Sequence, residues 1–394
     1  MRIIKSFVPI LLLMVLSFYG YQKYGQLPAA IINGIVFLPV MLAIMVIGLS
    51  IHFNRSPVFF YALLVVIANI VVGLGLASTS SSYALVSVLL PLLVLVITLL
   101  PERGIVSIRA IPAYVILLSS IFLVIYVVVS SPSWASYALM TDWVPARYFD
   151  WTTQSQSVLI VSMLVSIAML VICFLQPSPQ VFAGFGVLVM LISQMHAGDS
   201  SASLNVYGSA GLLMCLYAVM QESWRMAYLD ELTELPGRRA LREKFQKMSG
   251  LYTVAMLDVD HFKKFNDSYG HDTGDAVLRM IAAKMNKVTG GGASYRYGGE
   301  EFSVVFAGKS TRDAIPHLEA LREVIANSPF VINRASRRKD ERKEKKNKNQ
   351  SVTVTVSIGV ADSNGDVTSP WDVLKLSDKA LYRAKGKGRN CVCG

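Results

Sequence analysis

The sequence predicts two structural classes in one chain: an N-terminal all-α polytopic membrane domain and a C-terminal α/β (α+β) domain. Three observations carry this reading. Of the 37 Lys and Arg, 7 lie before residue 222 and 30 after it, and the 26 Asp and Glu divide 4 and 22. Hydrophobic residues make up 53% of the 394 and charged residues only 16%, an apolar excess for a soluble protein. Apolar runs long enough to cross a bilayer recur through the first half, while the second half mixes short β-rich runs with amphipathic stretches. The expected division is 1–221 for the membrane domain, 222–231 for a connecting helix and 232–394 for the soluble domain.

The membrane runs fall at about 4–21, 29–50, 57–77, 82–100, 104–129, 156–176, 179–197 and 204–221. That is eight spans, with seven as the alternative count. The first run is read as an uncleaved helix, because no small-residue cleavage site follows closely. Arg2 and Lys5 precede it, Arg55 lies between spans two and three, and Arg103 between four and five. The 130–155 loop holds Asp142 and Asp150 against one Arg147. Basic loops mark the cytoplasmic side, so both ends of this half, and everything after Glu222, are expected there. Arg109 and His196 lie near span ends and no ionisable residue sits mid-span, which disfavours ion-coupled transport. Asn33, Asn69, Pro39, Pro91 and Pro112 are read as packing and kink residues. Trp134, Trp143 and Trp151 form either an interfacial aromatic belt or a sensory pocket. Cys173 and Cys215 lie in apolar runs; Cys391 and Cys393 form a C-x-C without the second pair a zinc site needs.

From Val219 to Asp230 there is no Gly or Pro, so the last span is expected to continue as a helix beyond the bilayer. A turn through Pro236 and Gly237 then opens an amphipathic helix to about Met248. The run from Tyr252 to Leu257 is a buried strand ending at Asp258-Val259-Asp260. A short helix through Phe262 and Phe265 follows, then a longer one over about 273–288. Asp260 is read as the cap of the helix after it. Phe262 and Phe265 are read as core, with one edge lining a pocket.

Arg296-Tyr297-Gly298-Gly299-Glu300-Glu301-Phe302 comes next, with aromatic and β-branched flanks that read as two strands. Two glycines permit a tight turn; two adjacent acids repel unless a cation is close. The residues alone fit either a solvated turn or a magnesium–nucleotide site, since Mg²⁺ prefers hard oxygen ligands and phosphates. Asp258, at a strand end, and Glu300/Glu301, at a hairpin tip, can meet on neighbouring strands. The order β-α-α-β then points to a sheet covered by helices.

DELTELPGRR, DVDHFKKFND, YGHDTGD, RYGGEEF, SIGVA and SDKALYRAKGKGRN occur in that order across 230–390. Together they resemble the GGDEF-domain diguanylate cyclase family, in its GGEEF form. The resemblance covers the soluble half only. It implies a palm-like nucleotidyl-cyclase fold, synthesis of cyclic di-GMP from two GTP, and a homodimer in which two domains face each other. By resemblance, Asp258, the Val259 carbonyl, Glu300 and Glu301 hold the metal, Mg²⁺ or alternatively Mn²⁺. Glu300 is also the catalytic base and Lys263 offsets phosphate charge. Asn266, Asp275, His271 and Phe262 line the GTP site, and Lys385 and Arg389 hold the terminal phosphates. The implied location is a bacterial inner membrane with the catalytic domain cytoplasmic, and no phosphodiesterase domain is expected to follow.

Two departures stand out. Where relatives carry an Arg-x-x-Asp product-inhibition site, this chain has Thr289-Gly290-Gly291-Gly292, so no such site is expected. The second is 334–350, with nine basic residues and three acids, between a strand ending near Ile332 and another over 352–358. It reads as a solvated loop or as a contact for anionic membrane lipid. Nucleic acid is not expected as a partner, because no aromatics interleave the charges. The rival function is a non-catalytic nucleotide receptor signalling by protein contact.

Overall fold

The computed structural model describes residues 2–76, 79–102, 104–130, 132–149, 151–198, 200–332, 350–363 and 369–394. Arg103, Asp150 and the basic segment 334–349 lie outside the described residues. The chain divides into two compact units, Met1–Ser223 and Trp224–Gly394.

Ten α-helices are described up to the division: α1 (Arg2–Lys23), α2 (Ala29–Ile35), α3 (Leu38–His52), α4 (Ser56–Gly73), α5 (Ser80–Leu99), α6 (Ile111–Ser130), α7 (Ser133–Met140), α8 (Gln156–Leu175), α9 (Pro179–Ala197) and α10 (Ser201–Tyr228). Among the described residues eight helical stretches are long and apolar enough to cross a membrane, with α2 and α3 together forming the second. The break in that second stretch falls just before Pro39, near the first position of α3, where a missing N–H costs nothing. The apolar core of the unit draws most heavily on α4, α5, α9 and α10. Small residues let these helices approach: Gly184 meets the Tyr61 ring, Gly186 meets Met214 and Gly208 meets Asn69. Buried polar groups pair inside the bundle, Gln194 with Asn69 at 2.9 Å and Asn205 with Tyr24 at 2.9 Å.

The loops sort onto two ends. At one end, Arg55 Nη1 lies 3.1 Å from Glu102 Oε1, its Nη2 lies 3.8 Å from Glu222, and Gln180 donates to Glu102 at 3.3 Å. At the other, Tyr83 and Gln154 both donate to the Met195 carbonyl, and Gln156 accepts the backbone N–H groups of Trp143 and Val144. Trp151 lies against the His196 ring there, 5.9 Å between centroids, and Trp143 and Trp151 remain exposed.

The second unit is built on a five-stranded sheet. Its elements are α11 (Arg238–Gln246), β1 (Tyr252–Val259), α12 (Phe262–Tyr269), α13 (His271–Met285), β2 (Ala293–Gly298), β3 (Glu301–Ala307), α14 (Thr311–Ala326), β4 (Phe330–Ile332), β5 (Gln350–Val352), β6 (Val356–Asp362), α15 (Pro370–Gly386) and β7 (Val392–Cys393). The strand order is β2-β3-β1-β6-β7, with β4 and β5 as a separate pair. β1 is central and antiparallel to β3 and β6. Every residue of β1 is buried, as a strand covered on both faces requires. Ala255, Leu257 and Val259 face α12, α13 and α14; Tyr252, Val254 and Met256 face α11 and α15. This is the palm-like fold that the motifs imply.

Some expectations are corrected. The strand expected over 352–358 is two strands, β5 and β6, separated at 353–355, because β5 pairs with β4 and β6 with β1. The long helix begins at His271, because Gly270 at φ +86° breaks the chain just before it, and ends at Met285. α10 stops at Tyr228, after which Leu229 bridges Pro236.

Candidate active site

Alternation along β1 fixes the site. Asp258 is an even-numbered residue, on the same face as Val254 and Met256, and so points toward the α15 side. In the β1–β3 register Asp258 stands directly opposite Glu301. Residues directly opposite in an antiparallel pair share a face. The two carboxylates therefore flank one another without any local sequence signal linking them. Glu300 sits in the two-residue turn between β2 and β3, next to Gly299 at φ +50°, and its carbonyl accepts the Val259 N–H at 3.4 Å.

Arg296 braces this turn. Its guanidinium donates to the Gly299 carbonyl at 3.1 and 2.7 Å and reaches Asp230 at 2.6 Å. Asp230 also accepts the Thr233 N–H and hydroxyl. Burial raises the Asp230 pKa, but the Thr233 and Arg296 bonds outweigh it and hold the carboxyl below its ordinary value. Neither Arg296 nor Asp230 was assigned a role from sequence. Their appearance in two of the six motifs was the available signal.

Lys385, in the last turn of α15, places Nζ 2.9 Å from Asp258 Oδ1. Burial pushes the Asp258 carboxyl up, and the neighbouring Asp260 charge adds to it against the pull of Lys385. Glu300 is raised by burial and then by the Asp258 charge. Glu301 is raised by burial, then by Asp258 and Asp378. Three carboxyls raised by burial, two of them also by the Asp258 charge, are a donor set short of positive charge.

That set fits a hard divalent cation, with two opposed carboxylates and the carbonyl of Val259 at the end of β1. Among the described residues no three His, Cys, Asp or Glu side chains converge on one point tightly enough to hold an ion unaided. Hard-cation sites on nucleotides complete their shell with phosphate oxygens and water, so two carboxylates suffice.

Around α12 and α13 the structure gathers the other expected residues. Asn266 lies against Gly274, where a Cβ would collide with its side-chain oxygen, and Asp275 is the next residue on α13. Asn266 Oδ1 is buried against Gly274 and has no hydrogen-bond partner. Phe262 is buried and parallel to Phe265, with ring centroids 6.5 Å apart. Lys263 is exposed in the first turn of α12, and His271 is exposed at the start of α13. Arg389 lies beyond α15, exposed, in a left-handed turn at φ +67°.

Asp260 does not cap α12. It is buried and bonds instead to Thr355, Ser357 and Asn390, because β6 runs beside β1 and brings those donors within reach. At 289–292, Thr289 bonds the His317 ring at 2.8 Å and Gly290 lies against the same ring.

Residues 227–391 match the family described as diguanylate cyclase, GGDEF domain. Among curated proteins, the response regulator PleD of Caulobacter vibrioides is 33% identical over 183 residues, 44% of this chain and 37% of that protein. The diguanylate cyclase DgcP of Pseudomonas aeruginosa is 34% identical over 179 residues, 43% of this chain and 24% of that protein. The probable diguanylate cyclase DgcF of Escherichia coli is 29% identical over 222 residues, 54% of this chain and 62% of that protein. The chain thus spans 24% to 62% of the length of these relatives. With the motifs, the central strand and the acidic hairpin all falling inside the matched stretch, the C-terminal unit of this chain is a GGDEF domain.

Proposed function

We propose that the chain is a membrane-bound diguanylate cyclase that condenses two GTP into cyclic di-GMP and two pyrophosphates. The observation that carries this reading is the opposition of Asp258 and Glu301 across β1 and β3, with Glu300 at the adjoining turn and Lys385 against Asp258. Similarity to named cyclases over the matched residues supports it.

Asp258, the Val259 carbonyl, Glu300 and Glu301 hold the metal in this reading. Mg²⁺ or Mn²⁺, when bound there, neutralises triphosphate charge and makes the 3′-hydroxyl more acidic. Glu300, its carboxyl raised by burial and by the Asp258 charge, accepts the 3′-hydroxyl proton in this reading. The freed 3′-oxygen bonds to the α-phosphorus of the second GTP, the α–β bridging bond breaks, and pyrophosphate leaves. The same step in the opposite direction closes the ring. Lys263 stabilises the charge that develops on the phosphates. Asn266 and Asp275 carry the donor and acceptor groups that read a guanine edge in this reading, which adenine would mismatch. Lys385 and Arg389 clamp the terminal phosphates.

One unit holds one GTP, so the active species is a homodimer with two-fold symmetry. The proposed domain limits are 1–221, 222–231 and 232–394. The eight apolar helical stretches cross a bacterial inner membrane and leave the cyclase domain in the cytoplasm in this reading. Residues 289–292 supply no product-inhibition site.

The test uses the full chain in nanodiscs with GTP and Mg²⁺, beside Glu300→Ala. Cyclic di-GMP and pyrophosphate are expected from the wild type, and a loss of about 10²–10⁴-fold from the variant. Wild-type protein that binds GTP yet forms no product at any concentration would favour a nucleotide receptor instead.

A further inference from the structure

The residues after the centre of β1 read Asp258-Val259-Asp260, and only the first carboxylate has a role so far. Asp260 is buried, and its side chain is engaged entirely by later parts of the unit. Oδ1 accepts from the Ser357 hydroxyl at 2.6 Å. Oδ2 accepts from the Thr355 hydroxyl at 2.7 Å and from the Asn390 backbone N–H at 3.1 Å. The Asp260 N–H donates to the Thr355 carbonyl at 2.9 Å.

Asn390 closes a run of three left-handed residues, Gly388, Arg389 and Asn390, at φ +105°, +67° and +45°. Two of them carry a Cβ, so neighbours must hold this conformation in place. Three other anchors are visible: Arg389 N–H to the Ala384 carbonyl at 3.1 Å, Arg322 to Asn390 Oδ1 at 3.0 Å, and Ile358 N–H to the Cys391 carbonyl at 3.0 Å. Asp260 is the only carboxylate acceptor among the four, and it sits two residues from Asp258.

We infer that Asp260 is a positioning residue for the triphosphate: its carboxylate fixes the 388–390 turn, so that Arg389 meets phosphates aligned on Asp258 and Glu300. The inference rests on the phosphate-clamp reading of Lys385 and Arg389. Asp260 touches no substrate in it and acts through Arg389. A strut for the fold alone would weaken every ligand together; a positioning residue weakens only ligands that Arg389 contacts.

The experiment measures binding of GMP and of the α,β-methylene analogue of GTP to the full chain in nanodiscs, with thermal melts alongside. Asp260→Asn is expected to weaken the analogue about tenfold and GMP less than about twofold. In an Arg389→Ala background the same change is expected to add less than about twofold, the signature of two residues acting as one unit. Thr355→Val removes one of the bonds that orient Asp260 while leaving the charge, and is expected to weaken the analogue about threefold. It carries the test if Asp260→Asn does not fold. Equal weakening of GMP and the analogue, or full additivity with Arg389→Ala, overturns the positioning role alone. Wild-type analogue affinity in Arg389→Ala overturns the clamp reading and this inference together. Wild-type affinity in Thr355→Val, where Asp260→Asn does not fold, overturns the inference as well.

Discussion

Glu301 shows how one residue can trade stability for function. Its carboxyl, like those of Asp258 and Glu300, is raised by burial and by like charge nearby. Between the ordinary carboxylate pKa and the raised one, the folded state holds more protons than the unfolded. Stability from these groups therefore falls as pH rises through that window, and a bound cation reverses the loss. Glu301→Gln is expected to raise the melting temperature of the cation-free protein at neutral pH. Relief of about 1 kcal/mol corresponds to about 2–4 °C for a unit of this size. The gain should vanish below the window and activity should fall, which melts at several pH values and a cyclic di-GMP assay would show. A melting temperature unchanged at neutral pH would mean that the like-charge repulsion is already relieved.

At the scale of elements, the seating of α15 on the sheet decides where Lys385 points. Gly359 lies in β6, opposite Met256 of β1, and a Cβ there would run into the Leu381 nitrogen and the Ser377 carbonyl. Helix and strand backbones are in direct contact, which only glycine permits. Gly359→Ala must push α15 outward and carry Lys385 away from Asp258. Overpacking against backbone is expected to cost about 1–3 kcal/mol. A lower melting temperature with weakened GTP binding checks this, and wild-type values for both would show that α15 can shift freely.

For the whole molecule, the proposed chemistry needs two copies, because each GGDEF unit supplies one acidic hairpin and one set of phosphate contacts. Where the dimer is weak, specific activity should rise with protein concentration and then level off. Nanodiscs loaded with one chain or with two offer the measurement. Equal specific activity per chain in both would remove the need for a facing partner. In the membrane unit, the basic Arg55 loop, Glu102, Gln180 and Glu222 meet at one end, and the tryptophan-bearing loop lies at the other. This is the sorting that alternating spans and basic loops imply.

Local chemistry by itself determined much of this protein. Apolar runs with almost no charge specify membrane-length helices, because a bilayer leaves a charged residue nowhere cheap to go. An all-apolar run ending in Asp258 specifies a buried strand with an acid at its edge, and two glycines before two acids specify a tight turn that carries like charges side by side. The tertiary structure alone decided which distant groups meet. Register sets Asp258 opposite Glu301, and the close approach at Gly359 sets Lys385 on Asp258. Asp260 could read as a helix cap because caps are local, yet it bonds to residues 355, 357 and 390. Arg389 follows Lys385 by four residues in the sequence, and the left-handed turn places it beyond the helix. Strand pairing and loop closure choose such partners through the packing of the whole sheet, and no short window of sequence contains that choice.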